Sequence, residues 1–135
     1  MATIVLAEDR DLRRHELRAA MEVEHDLHVV DEAGDGWEAW DKAERLEPDI
    51  LVVNSKMPGL TGREIAQRAL NVPSRPRMVI IREDDGLSYV CEAVEGGVMG
   101  FGIKTTGNEE LAHNIQEIFQ GRFLPQFVSF WSYSG

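Results

Sequence analysis

Four places along the chain put residues that could do chemistry at the end of an apolar run. Glu8-Asp9 follows residues 3–7, Asn54 follows 50–53, Arg82 follows 78–81 and Lys104 follows 98–103. They amount to two carboxylates, a neutral amide and two cations, a set suited to charge pairing and ligand binding. Arg82 is long and permanently charged, and it could reach Glu8 or Asp9; on the alternative reading it points to solvent beside residues 83–85. The blander readings are that Glu8-Asp9 is the acidic start of a helix and that Lys104 is a solvated surface charge. His15, His25, His28 and His113 show no metal-ligand spacing, and no Ser-His-Asp arrangement has motif context. Gly34-Asp35-Gly36 lacks the spacing of either nucleotide-binding fingerprint and reads as a turn. No catalytic residue is expected, and the chain is not read as an enzyme.

The apolar runs imply the elements that must position these groups. Residues 3–7 and 50–53 are continuously apolar, as in strands buried on both faces. Further strands are expected at 28–33, 78–81 and 98–103, the last weakened by two glycines. Helices are expected at 11–23, with Asp9 as cap and Leu12, Leu17, Ala20 and Met21 as apolar positions, and at 37–46, ended by Pro48. Others are expected at 63–70, 87–95 and 109–119, the last stopped by Gly121. Of Trp37 and Trp40, one should be core and the other exposed. Five strand–helix units imply an α/β fold: a flavodoxin-like, doubly wound parallel sheet, (βα)5, with strand order 2-1-3-4-5. In such sheets the functional site lies at the carboxyl ends of the strands, where the four chemical groups stand.

The 135 residues suit a single domain, with 43% apolar residues to fill one core. One domain over 1–121 is expected, followed by an aromatic segment, 122–135, that is a tail or the start of a linker. Fourteen Lys and Arg against 24 Asp and Glu give a net charge of −10, which opposes direct binding to nucleic acid. No apolar run is long enough to cross a membrane, no signal peptide is visible, and the lone Cys91 fits a reducing, cytoplasmic setting.

Taken together, Glu8-Asp9, Met57-Pro58-Gly59 with Gly62, and Lys104 resemble the receiver domain of bacterial response regulators. Glu32-Ala33-Gly34-Asp35-Gly36 and Gly100-Phe101 resemble the NarL/FixJ (LuxR-type) subfamily. The resemblance covers about residues 3–121. It implies that Glu8 and Asp9 form the acidic pocket and that Lys104 is the family's lysine. It further implies an aromatic switch position at Phe101 and a phosphoacceptor at the end of the third strand. Two positions depart from it. Asn54 stands where the acceptor aspartate belongs, and an amide cannot form an acyl phosphate. Arg82 stands where a switch Ser or Thr belongs. No cofactor is required on this reading. Mg²⁺, held by Asp9, Asn54 and the Lys56 backbone oxygen, would bind weakly, because hard-cation affinity falls with ligand charge. Arg82 and Lys104 could stand in for the metal.

The resemblance thus implies an atypical two-component receiver, the regulatory part of a LuxR-type transcription regulator, signalling without aspartyl phosphorylation. Expected partners are a sensor kinase or effector domain and a second copy in a homodimer, with DNA reached only through a C-terminal domain beyond this chain. Two alternatives are an ordinary phosphorylatable receiver carrying an Asp-to-Asn substitution and a stand-alone interaction module. A flavin enzyme is disfavoured, because Glu8-Asp9-Arg10-Asp11 has the wrong sign for a phosphate loop.

Overall fold

The computed structural model describes residues 1–72, 77–83, 88–95, 98–120 and 131–132, with side chains for 1–72, 77–83 and 107–120. Strand β1 (Ala2–Ala7) leads into helix α1 (Asp11–Val23), β2 (Leu27–Ala33), α2 (Gly36–Leu46), β3 (Ile50–Asn54), α3 (Gly62–Ala69) and β4 (Arg77–Glu83). β5 (Ser88–Glu95), β6 (Val98–Thr106), α4 (Gly107–Phe119) and β7 (Trp131–Ser132) follow. The sheet order is β2-β1-β3-β4-β5-β6-β7. The β1, β2, β3 and β4 pairings are all parallel, so the sheet runs 2-1-3-4 with helices on its faces, the flavodoxin-like arrangement.

The apolar runs are continuous because both faces of the sheet are covered. Val5, Ala7, Leu51 and Val53 pack with Ala39, Ala43, Ile65 and Ala66 of α2 and α3. Ile4, Leu6, Ile50 and Val52 pack with Leu17 and Met21 of α1 and Leu111 and Ile115 of α4. Burying one such aliphatic side chain contributes about 1.5–3 kcal/mol. The two layers hold the strand ends in a fixed relation. Trp40 packs against the first layer, whereas Trp37 is exposed, with the Arg68 guanidinium 4.7 Å from its ring centre.

Three expectations need correction. Asp9 does not cap α1: the N-cap residue is Arg10, and its side chain makes no capping bond. Leu12 is 74% exposed. It lies five residues before the buried Leu17, about 140° round the helix, and so faces solvent.

The larger correction concerns 87–95. The helix expected there is the strand β5, which pairs antiparallel with β4 and with β6. The fifth expected strand is therefore β6, which runs in the same direction as β4 but is separated from it by the antiparallel β5. Within this segment the aromatic Tyr89 and the β-branched Val90 favour a strand. Gly96-Gly97, between β5 and β6 in the sequence, is a residue pair suited to a hairpin connection. Trp131 and Ser132 of the aromatic segment pair with Met99 and Val98 of β6; the rest of 122–135 lies outside the described residues.

Two turns bring loops to the strand ends. Asp35 caps α2, accepting from the Glu38 N–H, and the Gly36 N–H donates to the Pro58 carbonyl at 2.8 Å. The backbones are so close that a Cβ on Gly36 would lie 2.0 Å from the Leu60 oxygen. α2 ends on Glu47 in the left-handed region (φ 45°), and the following Pro48 opposes continuation of the right-handed helix.

Candidate functional site

Glu8 stands just beyond β1, Asn54 at the end of β3, and Arg82-Glu83 at the end of β4. β1 and β4 flank β3 in the sheet, so the fold brings these residues to one edge. With Asp9, Arg10, Ser55 and Lys56, Asn54 and the Arg82-Glu83 pair line a cavity of about 200 Å³.

Glu8 is 1% exposed, so its carboxylate must be satisfied within the protein. Its Oε1 accepts from Asn54 Nδ2 at 2.8 Å and from Arg10 Nη2 at 3.1 Å. Its Oε2 accepts from the Arg10 backbone N–H at 3.0 Å and, more loosely, from Arg10 Nε at 3.5 Å. Burial pushes the Glu8 carboxyl up; the bonds from Arg10, Asp9 and Asn54 outweigh it and bring the pKa down to about 2. Asp9 shifts upward, chiefly through its hydrogen bond with Glu8 and then through burial and Glu8's charge. The acid pair thus consists of one buried, firmly ionised carboxylate and one exposed, more basic one.

Arg10 extends further. Its Nη2 reaches Glu83 Oε1 at 2.5 Å, so a single guanidinium joins the ends of β1 and β4. Its pKa moves up, mainly through its bonds to Glu8 and Glu83. The Arg10–Glu83 pair is about half-exposed and contributes at most about 1 kcal/mol. The link to Glu8 matters more, since removing Arg10 would leave a buried carboxylate without its counter-charge. Beneath the site, Arg14 Nη1 donates to the Glu8 carbonyl at 2.8 Å while its Nε bonds Glu32 at 2.9 Å.

The site residues named from sequence fall into three groups. Glu8, Asp9, Asn54 and Lys56 come together, and Asn54 Oδ1 accepts from the Lys56 N–H at 3.0 Å. Arg82 borders the same cavity and is exposed, but the guanidinium on Glu8 is that of Arg10. The side chains of Phe101 and Lys104 lie outside the described residues. By backbone register Lys104 pairs with Val90, which pairs with Arg82, and Phe101 pairs with Ala93, which pairs with Val79. Sequence reasoning missed Arg10 and Glu83. The available signal was a cation two residues after an acid destined for burial.

This donor set does not suit a divalent cation. Both Glu8 oxygens already accept two N–H donors each, and the Asn54 carbonyl is taken by Lys56. Asp9 is the one carboxylate left with spare oxygens on the β1 side, and Arg10, Lys56 and Arg82 line the same cavity. Among the described residues, no three His, Cys, Asp or Glu side chains converge as a metal site.

Fold and site together define a class: a doubly wound α/β module with an acidic pocket at the carboxyl edge of its parallel strands. Residues 4–116 match the response regulator receiver domain, and the chain belongs to that family. It is 30% identical over 126 residues to the uncharacterized transcriptional regulatory protein YxjL of Bacillus subtilis (strain 168). That match spans 93% of this chain and 58% of the relative, so the chain spans a little over half the length of that regulator. The signal receiver domain of the response regulator NarL from Mycobacterium tuberculosis superposes with a TM-score of 0.56 at 28% identity, covering 62% of this chain and 68% of that one. A LuxR-family two-component response regulator from Aurantimonas sp. SI85-9A1 superposes with a TM-score of 0.69 at 21% identity, covering 91% and 88% of the two chains; at that identity the likeness is one of fold. The chain is thus a response regulator receiver domain, similar in sequence to the matching part of transcriptional regulatory proteins. Among the described residues no helix is long and apolar enough to cross a membrane.

Proposed function

We propose that this chain is the receiver part of a LuxR-type transcription regulator that signals through protein contacts without aspartyl phosphorylation. The observation that carries the reading is Asn54. It occupies the end of β3 beside the acid pair, where the family's phosphoacceptor belongs, and its amide is committed to Glu8 and Lys56. An amide nitrogen has no nucleophilic lone pair comparable to a carboxylate oxygen, so no acyl phosphate forms there. Arg82 at the switch position carries a fixed charge where the family uses a hydroxyl.

On this reading the domain is not an enzyme. Its partners are an effector domain or sensor kinase and a second copy of itself, and DNA is reached only through a C-terminal domain. Residues 1–121 form the receiver and 122–135 begin the connection. The net charge of −10 keeps the receiver itself off DNA, and the setting is the cytoplasm.

The test is incubation with acetyl phosphate and Mg²⁺, followed by intact-mass measurement. The expected result is no phosphoryl adduct on the natural chain. A stable, hydroxylamine-labile adduct would overturn the reading.

A further inference from the structure

We propose that Arg10 is the resident cation of the strand-end pocket, holding Glu8 and Glu83 together where a divalent metal would otherwise sit. This deepens the phosphorylation-independent reading of the same site.

The argument starts from Glu8. A carboxylate this deeply buried needs a counter-charge and donors for both oxygens. Arg10 supplies the charge and three of the four N–H groups, and Asn54 supplies the fourth. No lone pair on Glu8 is left in a position to serve a metal without one of these donors leaving.

The same Nη2 that meets Glu8 Oε1 also meets Glu83 Oε1. These two carboxylates lie at the ends of strands on either side of β3. A cation bridging oxygens from neighbouring strand ends is the structural task a bound metal performs in such a pocket. A metal performs it reversibly, in proportion to its concentration and after losing part of its hydration shell. Arg10 performs it permanently: it is tethered to the chain and does not lose its proton. Its positive charge also repels a dication approaching Asp9. The arrangement of the β1 and β4 ends is therefore independent of metal supply.

The proposal is tested by calorimetric titration with Mg²⁺ and Mn²⁺, and by thermal melts with and without each metal. The variants are the natural chain, Arg10→Met, Asn54→Asp and the double variant. The natural chain is expected to bind neither metal in the submillimolar range and to melt at the same temperature with or without it. Arg10→Met is expected to melt lower in metal-free buffer and to regain part of the loss when Mg²⁺ is added, since a ligand that binds only the folded state raises its stability. The double variant should bind Mn²⁺ at least about tenfold more tightly than Asn54→Asp, because three carboxylates are then free of the guanidinium.

Submillimolar metal binding by the natural chain would overturn the proposal. So would Asn54→Asp binding as tightly as the double variant. Should Arg10→Met not fold, Arg10→Lys keeps the charge while losing the fork. Its ammonium ends one bond short of the position of Arg10 Nη2 and lacks the Nε donor, so it does not span Glu8 and Glu83 as the fork does; its melting temperature is expected to rise with Mg²⁺ and that of the natural chain is not. A melting temperature of Arg10→Lys that does not respond to Mg²⁺ counts against the proposal. Adduct formation with acetyl phosphate reports separately on Asn54 and leaves the role of Arg10 to the metal titrations.

Discussion

The Asn54 amide nitrogen donates to Glu8 Oε1 at 2.8 Å while its carbonyl oxygen accepts from the Lys56 N–H at 3.0 Å. Both ends of the amide are used, so the hydrogen bonds fix which way it faces. An aspartate here would keep the bond to Lys56, lose the one to Glu8, and set a second carboxylate against a buried one. Asn54→Asp is expected to destabilise the domain by about 1–3 kcal/mol at neutral pH. Urea denaturation measures this. The deficit should shrink in acid, where protonating the new carboxyl restores a donor to Glu8. A variant as stable as the natural chain at neutral pH would show that the Asn54–Glu8 bond contributes nothing.

Glu8 sets the acid limb of stability. Its folded pKa of about 2 lies below its ordinary 4.5. A carboxylate depressed by folding binds more protons unfolded than folded, so its contribution is complete above its unfolded pKa and is lost as pH falls through the folded one. The loss should therefore run from about pH 4.5 towards 2. Asp9, shifted upward by Glu8, contributes in the opposite sense and offsets part of it. Glu8→Gln should be less stable at neutral pH, because Arg10 loses its buried partner, and its stability should vary less with pH over that range. Equilibrium denaturation across the acid range reads both effects; an unchanged slope would rule out Glu8 as the source.

Gly36 is expected to tolerate no side chain. An added Cβ would meet the Leu60 backbone at 2.0 Å from the oxygen and 2.5 Å from the nitrogen, and backbone cannot swing aside as a side-chain tip can. Gly36→Ala should cost about 1–3 kcal/mol or more, as overpacking does, and should loosen the 57–62 loop against α2. Gly59→Ala meets the movable Trp37 ring at 2.8 Å, with a φ of 86°. That left-handed conformation costs an alanine about 1–2 kcal/mol. Thermal melts should rank Gly36→Ala as the more damaging; the reverse order would mean that the Gly36–Leu60 approach is easily relieved.

α3 begins with a capping box. Thr61 accepts from the Glu64 N–H while Glu64 accepts from the Thr61 N–H. Hydrogen bonds from the Thr61 backbone N–H and then the Thr61 side chain hold the carboxyl of Glu64 below its ordinary range. Thr61→Ala should cost about 1 kcal/mol, and Thr61→Ser much less, since the hydroxyl remains. Hydrogen exchange at the Glu64 amide localises the effect; equal protection in Thr61→Ala would place the cap elsewhere.

Much of the scaffold was legible from residue type alone. Ile50-Leu51-Val52-Val53 declares a doubly covered strand, and the apolar spacing that leads to Leu17 and Met21 marks a helix whose bounds, Asp11–Val23, agree with expectation. Pro48 marks the end of α2 through local backbone chemistry. The acid pair, Asn54 and Arg82 could be assigned to one edge because parallel strands put their carboxyl ends together.

Two matters lay beyond the sequence. Residues 88–95 carry Glu92, Ala93 and Glu95 as well as Tyr89, Val90 and Cys91, so they suit a helix or a strand; pairing with β4 and β6 decided for the strand, a choice made by distant partners. The second is which cation meets Glu8. Arg82 and Arg10 both carry a long cation to this edge; Arg10 is only two residues from Glu8, but its nearness matters only once Glu8 is buried. The turn after β1 points the Arg10 N–H and guanidinium back at the carboxylate, and burial of Glu8 makes that contact worth keeping. Hydrophobic pattern and backbone chemistry act over a few residues and can be read along the chain. The pairing of charges depends on which groups lose water together, and only the assembled sheet decides that.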